Sequence, residues 1–251
     1  MKPIKLFILA ECLFNTGLFA QPTDADYLLG YGGVAVFIGM EFIFKEDLAP
    51  QKAKWSEPKA FDTFFRDDLK WDTGNQETAA LFSDILLKGL IIPSAFWSSY
   101  NSGYKYSSYV LMQTQVVAAT GILTHATKFI FGRQRPYAYY KTGGPEFPQT
   151  NLSFFSGHSS ISYAMVTSAA YLLETAHPDH SGLIWSSGLF LASATSYLRI
   201  AADRHYMSDV LTGLVIGSAL GYFISRNQHK KFFATSAKKK ADLIINFSIP
   251  L

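Results

Sequence analysis

Three short stretches of the sequence gather side chains able to act on an anion. SFFSGHSS, residues 153–160, opens a run poor in charge. Backbone N–H groups at a helix N-terminus, with Gly157 allowing close approach, make an anion site beside His158, and phosphate is its natural guest. In LRIAADRHYMSD, residues 198–209, His205 and Asp209 stand four apart. On a helix the carboxylate then reaches one ring nitrogen, fixes the tautomer and leaves the other nitrogen as a nucleophile. KFIFGRQRP, residues 128–136, sets Lys128 and Arg135 seven apart, two turns if the helix continues, with Pro136 favouring termination there. Each stretch has a plainer reading: a basic membrane flank, a serine-capped helix with a hydrogen-bonded histidine, a structural His–Asp bond closing a loop. Arg199 and Arg204 crowding the same connection as His205 speak against the last of these.

The elements that must position these residues are apolar. The chain has 251 residues, of which 49% are hydrophobic, and its mean hydropathy of +0.11 is high for a soluble protein. Six stretches have the length and low charge of a membrane span: residues 27–44, 80–99, 107–127, 159–176, 182–198 and 208–225. The third and fifth contain no Asp, Glu, Lys or Arg and are the firmest spans; Glu41, Asp84 with Lys88, Glu174 and Asp209 in the others should face the bundle interior. Small residues such as Ser186, Gly188, Gly213 and Gly217 predict a compact all-α bundle, and the Gly213 to Gly217 spacing reads as an internal packing face, from which no oligomer is inferred. Alternating the crossings brings the three clusters to one membrane face. Lys128, Arg135, Arg199, His158, His205 and Asp209 then line one polar pocket.

Outside the spans, residues 1–20 carry Lys2 and Lys5 before an apolar run, the pattern of a signal peptide or of an uncleaved N-terminal anchor. Residues 45–79 interleave six basic and eight acidic side chains with Trp55, Phe61, Phe64, Phe65 and Trp71. That mixture suits an interfacial insertion or a small folded cover over the bundle. Residues 227–251 form a basic C-terminal tail whose last stretch, 241–251, alternates weakly, as a strand or a disordered end would. The net charge of +3 is concentrated towards that tail and does not suggest nucleic acid. Cys12 is the single cysteine, so no internal disulfide can form. His125 reads as a packing or interhelical residue, Arg133 and Arg204 as solvated flanking charges, and His177, His180 and His229 as loop residues.

The clusters resemble the three signature motifs of the type 2 phosphatidic acid phosphatase superfamily, the lipid phosphate phosphatases. Lys128, Arg135 and Pro136 match Lys, six residues, Arg-Pro; Ser156, Gly157 and His158 match Pro-Ser-Gly-His; Arg199, His205 and Asp209 match Ser-Arg, five residues, His, three residues, Asp. Two positions depart: Phe155 stands where the family usually has Pro, and Leu198 where it often has Ser. The resemblance implies a membrane phosphatase domain over 21–226 with the acid phosphatase and vanadium haloperoxidase-like core, acting on a lipid phosphate or pyrophosphate with no metal and no cofactor. It implies His205 as nucleophile steadied by Asp209, His158 as acid and then base, and Lys128, Arg135, Arg199, Ser156 and Gly157 as the phosphate-binding set. The rival readings are a soluble periplasmic acid phosphatase and a non-catalytic membrane protein that binds lipid headgroups.

A bacterial inner membrane is the expected setting, with the pocket facing the periplasm if all six spans cross and the Lys-rich tail is cytoplasmic. A cleaved leader followed by six spans would reverse that orientation, so either the leader stays or one of 27–44 and 80–99 does not cross.

Overall fold

The computed structural model describes residues 22–101 and 106–247, with side chains of the last helix as far as Phe232. The described residues form helices and turns without a strand. Helix α1 spans Asp24–Ile43 and begins in a capping box: the Thr23 side chain accepts from Asp26 N while the Asp26 carboxylate accepts from the Thr23 backbone. Then follow α2, Ala60–Leu69; α3, Thr73–Asn101; α4, Tyr106–Phe131; α5, Gly157–Ala176; α6, Ser181–Ala201; and α7, Met207–Phe247.

α5 is the axis of the bundle and packs on α3, α4, α6 and α7. Its apolar residues Tyr163, Ala164, Met165 and Val166 meet Ile91 and Ala95 of α3, Val116 of α4 and Ala192 of α6 in the main core. Against α7 the contact is backbone to backbone. A Cβ placed on Gly217 would stand 2.1 Å from the Ser160 carbonyl oxygen, so the Gly213 to Gly217 pattern is an internal seam.

Among the described residues, three helices are long and apolar enough to cross a membrane: Asp24–Ile43, Thr73–Asn101 and Met207–Phe232. The count of six is therefore not confirmed, and the two charge-free stretches, 107–127 and 182–198, are not among the three. Both are helical, but uncharged polar residues dilute them. Gln113, Gln115, Thr120 and Thr124 of α4 and Thr195 and Ser196 of α6 are buried among other helices. α4 is thus largely an interior helix, whereas α6 still turns Leu183 and Phe190 outward. The three more apolar helices likewise turn large side chains outward, among them Leu28, Phe42, Trp97, Val215 and Phe223.

The 45–79 segment forms the turn Lys45–Leu48, helix α2 and the start of α3. α2 shows Phe61 and Phe64 to the outside and buries Asp62 and Arg66. At the other end, α7 runs unbroken through 227–247, which corrects the weak strand or disordered end expected over 241–251 as far as Phe247; residues 248–251 lie outside the described residues. Lys and Ala are good helix formers, and no proline intervenes before residue 250. His229 accordingly sits in a helix, not a loop. The leader, 1–20, also lies outside the described residues.

Candidate active site

Lys128 occupies the last turn of α4, and the helix stops before Arg135 is reached. Gly132 takes φ +51, a conformation glycine adopts without strain, and closes the helix through its N–H to the Lys128 carbonyl at 2.9 Å. The two cations therefore converge through a reversal of the chain and not, as their spacing suggested, along one helix face. Beyond the turn, Arg135 is fixed by carbonyls: Nη1 donates to Arg204 O at 3.5 Å and Nη2 to Leu152 O at 3.3 Å.

Ser156 caps α5, its hydroxyl accepting from Ser159 N at 3.4 Å, and its own N–H donates to the Asp209 carbonyl at 3.1 Å. A Cβ on Gly157 would lie 3.6 Å from Lys128 Nζ, so the ammonium hangs over the first turn of α5. In that turn His158 Nε2 is hydrogen-bonded to Asp84 of α3. The neighbouring Ser83 accepts from Arg199 Nη1 at 2.9 Å, and the same nitrogen is 4.0 Å from Asp84. One turn of α3 thus touches the second and third clusters together.

After α6 the chain folds back on itself, with Arg204 N and His205 N both donating to the Arg199 carbonyl at 3.1 and 3.2 Å. His205 lies in this connection and Asp209 in the first turn of α7, so the pair is not stacked on one helix as its spacing implied. His205 Nδ1 is 3.5 Å from Asp209 Oδ2, short of a hydrogen bond and within the range that tightens when substrate binds. The carboxylate itself is firmly held. Oδ2 accepts from Ser153 Oγ at 2.6 Å and from Tyr206 N at 2.9 Å, while Oδ1 accepts from Arg133.

Arg133 is thus no solvated flank. It is 1% exposed, sandwiched between the rings of Trp55 and Tyr206 at 3.9 and 4.3 Å, and its Nη2 donates to Asp62 of α2 at 2.6 Å. Asp62 also accepts from Ser208 N and Oγ at 2.9 Å. One turn further along α2, Arg66 pairs with both oxygens of Asp203 at 2.6 and 2.8 Å. The 45–79 segment therefore braces the loop that carries His205 from two sides. Arg204 is likewise buried and pairs with Glu77. His125 forms an interhelical bond, Nε2 to Glu41 of α1 at 2.5 Å.

His205 is held well below the usual histidine range, first by burial and then by Arg135, Lys128, Arg199 and His158. The three clusters meet through direct contacts: Lys128 with the Gly157 turn, Arg135 with the Arg204 carbonyl, and Ser156 N with the Asp209 carbonyl. Burial also pulls Arg135 below the usual guanidinium range. Arg135 Nε, Arg199 Nε and His205 Nδ1 find no hydrogen-bond partner among the described residues. Buried cations with spare donors are costly unless an anion joins them. The arrangement is suited to hold a tetrahedral oxyanion through Lys128, Arg135, Arg199 and the first turn of α5, with an uncharged imidazole beside it. A divalent cation would add to positive charge already concentrated there.

Comparison with known proteins agrees with this geometry. A profile of the PAP2 superfamily matches residues 110–233, which contain all three clusters. A lipid A 1-phosphatase of Porphyromonas gingivalis is 33% identical over 112 residues, 43% of this chain and 22% of that protein. Phospholipid phosphatase 1 of Rattus norvegicus is 27% identical over 150 residues, 49% of this chain and 53% of that protein. The chain thus spans 22% and 53% of the lengths of these curated relatives. Among solved structures, the transmembrane PAP2 type phosphatidylglycerolphosphate phosphatase from Bacillus subtilis superposes with a TM-score of 0.54 at 16% identity, over 82% of this chain and 96% of that one. At that identity the shared property is the fold. With three helices apolar enough to cross a bilayer, the likeness marks a membrane protein, and residues 110–233, which carry every motif residue, are the stretch of the chain that matches the PAP2 superfamily.

Proposed function

We propose that the protein is a membrane-embedded phosphatase that removes phosphate from a lipid phosphate or pyrophosphate through a phosphohistidine, without a metal ion. The observation that carries this reading is the buried His205 with its Nδ1 3.5 Å from Asp209, in a pocket where Arg135 and Arg199 keep buried donors without a partner among the described residues and Lys128 hangs over the first turn of α5. Phosphoryl transfer depends mainly on positioning and on neutralising the equatorial oxygens, and three cations with the N–H groups of the α5 terminus supply both.

In this mechanism Asp209 keeps the proton on Nδ1 of His205, and the Nε2 lone pair attacks phosphorus. The bond to the leaving oxygen breaks, its electron pair staying on that oxygen, which takes a proton from His158. His158 next removes a proton from water, whose oxygen attacks phosphorus. The N–P bond breaks, its electrons return to His205, and phosphate departs. Ser156 and Gly157 contribute through the cap and the close approach of the backbone to the anion.

We also infer that the protein sits in the inner membrane of a bacterial envelope with the pocket facing the periplasm. The export-type leader and the run of lysines at 238–240 support that orientation. Phosphate release should be measured on phosphatidic acid, phosphatidylglycerophosphate, undecaprenyl pyrophosphate and lipid A phosphates, each with a chelator present. Release that persists with chelator and disappears in His205→Ala is expected. No release from any of the four would overturn the reading.

A further inference from the structure

The second cluster has a partner that neither its spacing nor the function just proposed assigns. Asp84 reaches from α3 to His158 and hydrogen-bonds Nε2. Its surroundings are defined on every side: Lys88 of its own helix donates to it at 2.9 Å, Arg199 of α6 stands 4.0 Å away, and His158 approaches from α5. α3 can cross a membrane by length and composition, and a carboxylate persists in such a helix where it has partners and a task. Immediately after Asp84 the helix widens into a π segment, Ile85–Ile91, a distortion that recurs at functional sites. Ser83 and Asp84 thereby serve Arg199 and His158 from adjacent positions.

We propose that Asp84 is the positioning residue of His158, forming a second histidine–carboxylate pair opposite His205 and Asp209. The inference rests on the phosphatase reading. Asp84 accepts the Nε2–H and opposes burial and Arg199, which together hold the His158 pKa down at about 3; with an anionic phosphate bound as well, the doubly protonated ring offers its Nδ1–H to the leaving oxygen. When the P–O bond breaks, the electron pair remains on that oxygen and the Nδ1 proton moves to it. His158 is then neutral, with its Nε2–H still on Asp84. In the second half, Nδ1 takes a proton from the attacking water and the starting state returns.

Leaving-group dependence tests this, because an acidic phenol departs without a proton and an alkoxide does not. Full-length wild type and Asp84→Asn in detergent micelles are compared on short-chain phosphatidic acid and on 4-nitrophenyl phosphate. Asp84→Asn is expected to lose about a hundredfold in kcat/KM on phosphatidic acid and to keep most of kcat/KM on the aryl ester, because that ratio reports the step that forms the phosphohistidine. Asp84→Glu should recover part of the loss, and Asp84→Asn added to His158→Ala should cost nothing further. Equal loss on both substrates, no loss on either, or an additive loss in the double variant would overturn the inference. The double variant separates these outcomes even if Asn at 84 weakens the fold. If wild type hydrolyses neither ester, the proposed function fails, and this inference with it; an active wild type with Asp84→Asn unaffected refutes only the pairing.

Discussion

The two histidines of the pocket are held in opposite ways. The His205 side chain is 1% exposed and its carboxylate 0%, both enclosed by protein, whereas His158 is 21% exposed and Asp84 40%. The difference suits the separate tasks proposed for them, nucleophile and proton carrier. A nucleophile must keep one tautomer and one direction, which favours a carboxylate fixed by Ser153, Tyr206 and Arg133. A group that exchanges protons with an alcohol and then with water needs a route to solvent. Rigidity is concentrated on one side of the anion and access on the other.

The comparison breaks most readily at the sealed side. His205→Ala is expected to reduce phosphate release by at least about 10⁴-fold, since no other side chain can form the covalent intermediate. Asp209→Asn should follow at about 10³-fold or more, because the amide favours the wrong tautomer of His205. A loss no larger than that of Asp84→Asn would show that the enclosed pair has no special standing. Arg133→Ala strands Asp62 and Asp209 as buried, uncompensated charges, and should lower stability by roughly 3–5 kcal/mol, read as a fall in melting temperature in detergent. Its effect should exceed that of Arg204→Ala, whose partner Glu77 is solvent-exposed.

The smallest expected effect sharpens the contrast through pH. Protonation disables His205, and its pKa lies below the ordinary 6.5, so the acid limb of kcat/KM due to this group falls below pH 6.5. Arg135→Gln removes one of the cations that depress it, and should move that limb upward towards the ordinary value. A limb already at 6.5 in wild type would contradict the enclosed, cation-lined setting.

The three clusters and their family likeness were legible because each motif lies within a dozen residues, and its spacing and apolar flanks were visible together. The supports were not, because they arrive from far along the chain. Arg66 and Asp203 are 137 residues apart, and His158 and Asp84 are 74 apart. Asp84 did leave a trace, as a carboxylate in an otherwise apolar stretch, but nothing local said which ring it would meet. Arg133 stands two positions from Arg135, and its burial depends on Trp55 and Asp62, which no local pattern reveals. The bundle was readable as helical. The count of six spans is not confirmed, since Gln and Thr turn inward in α4 and lower its apolarity, and the reversal at Gly132 replaced the helical continuity that seven-residue spacing implied.

The seam between α5 and α7 has a mechanical consequence. Because bare main chain meets bare main chain at Gly217 and Gly221, the gap between the helix end at Ser156 and the helix that begins beside His205 is gauged there by peptide units, which yield far less than a side chain would. Even one methyl at 217 would act as a shim, prising the jaws of the site apart from beyond its floor.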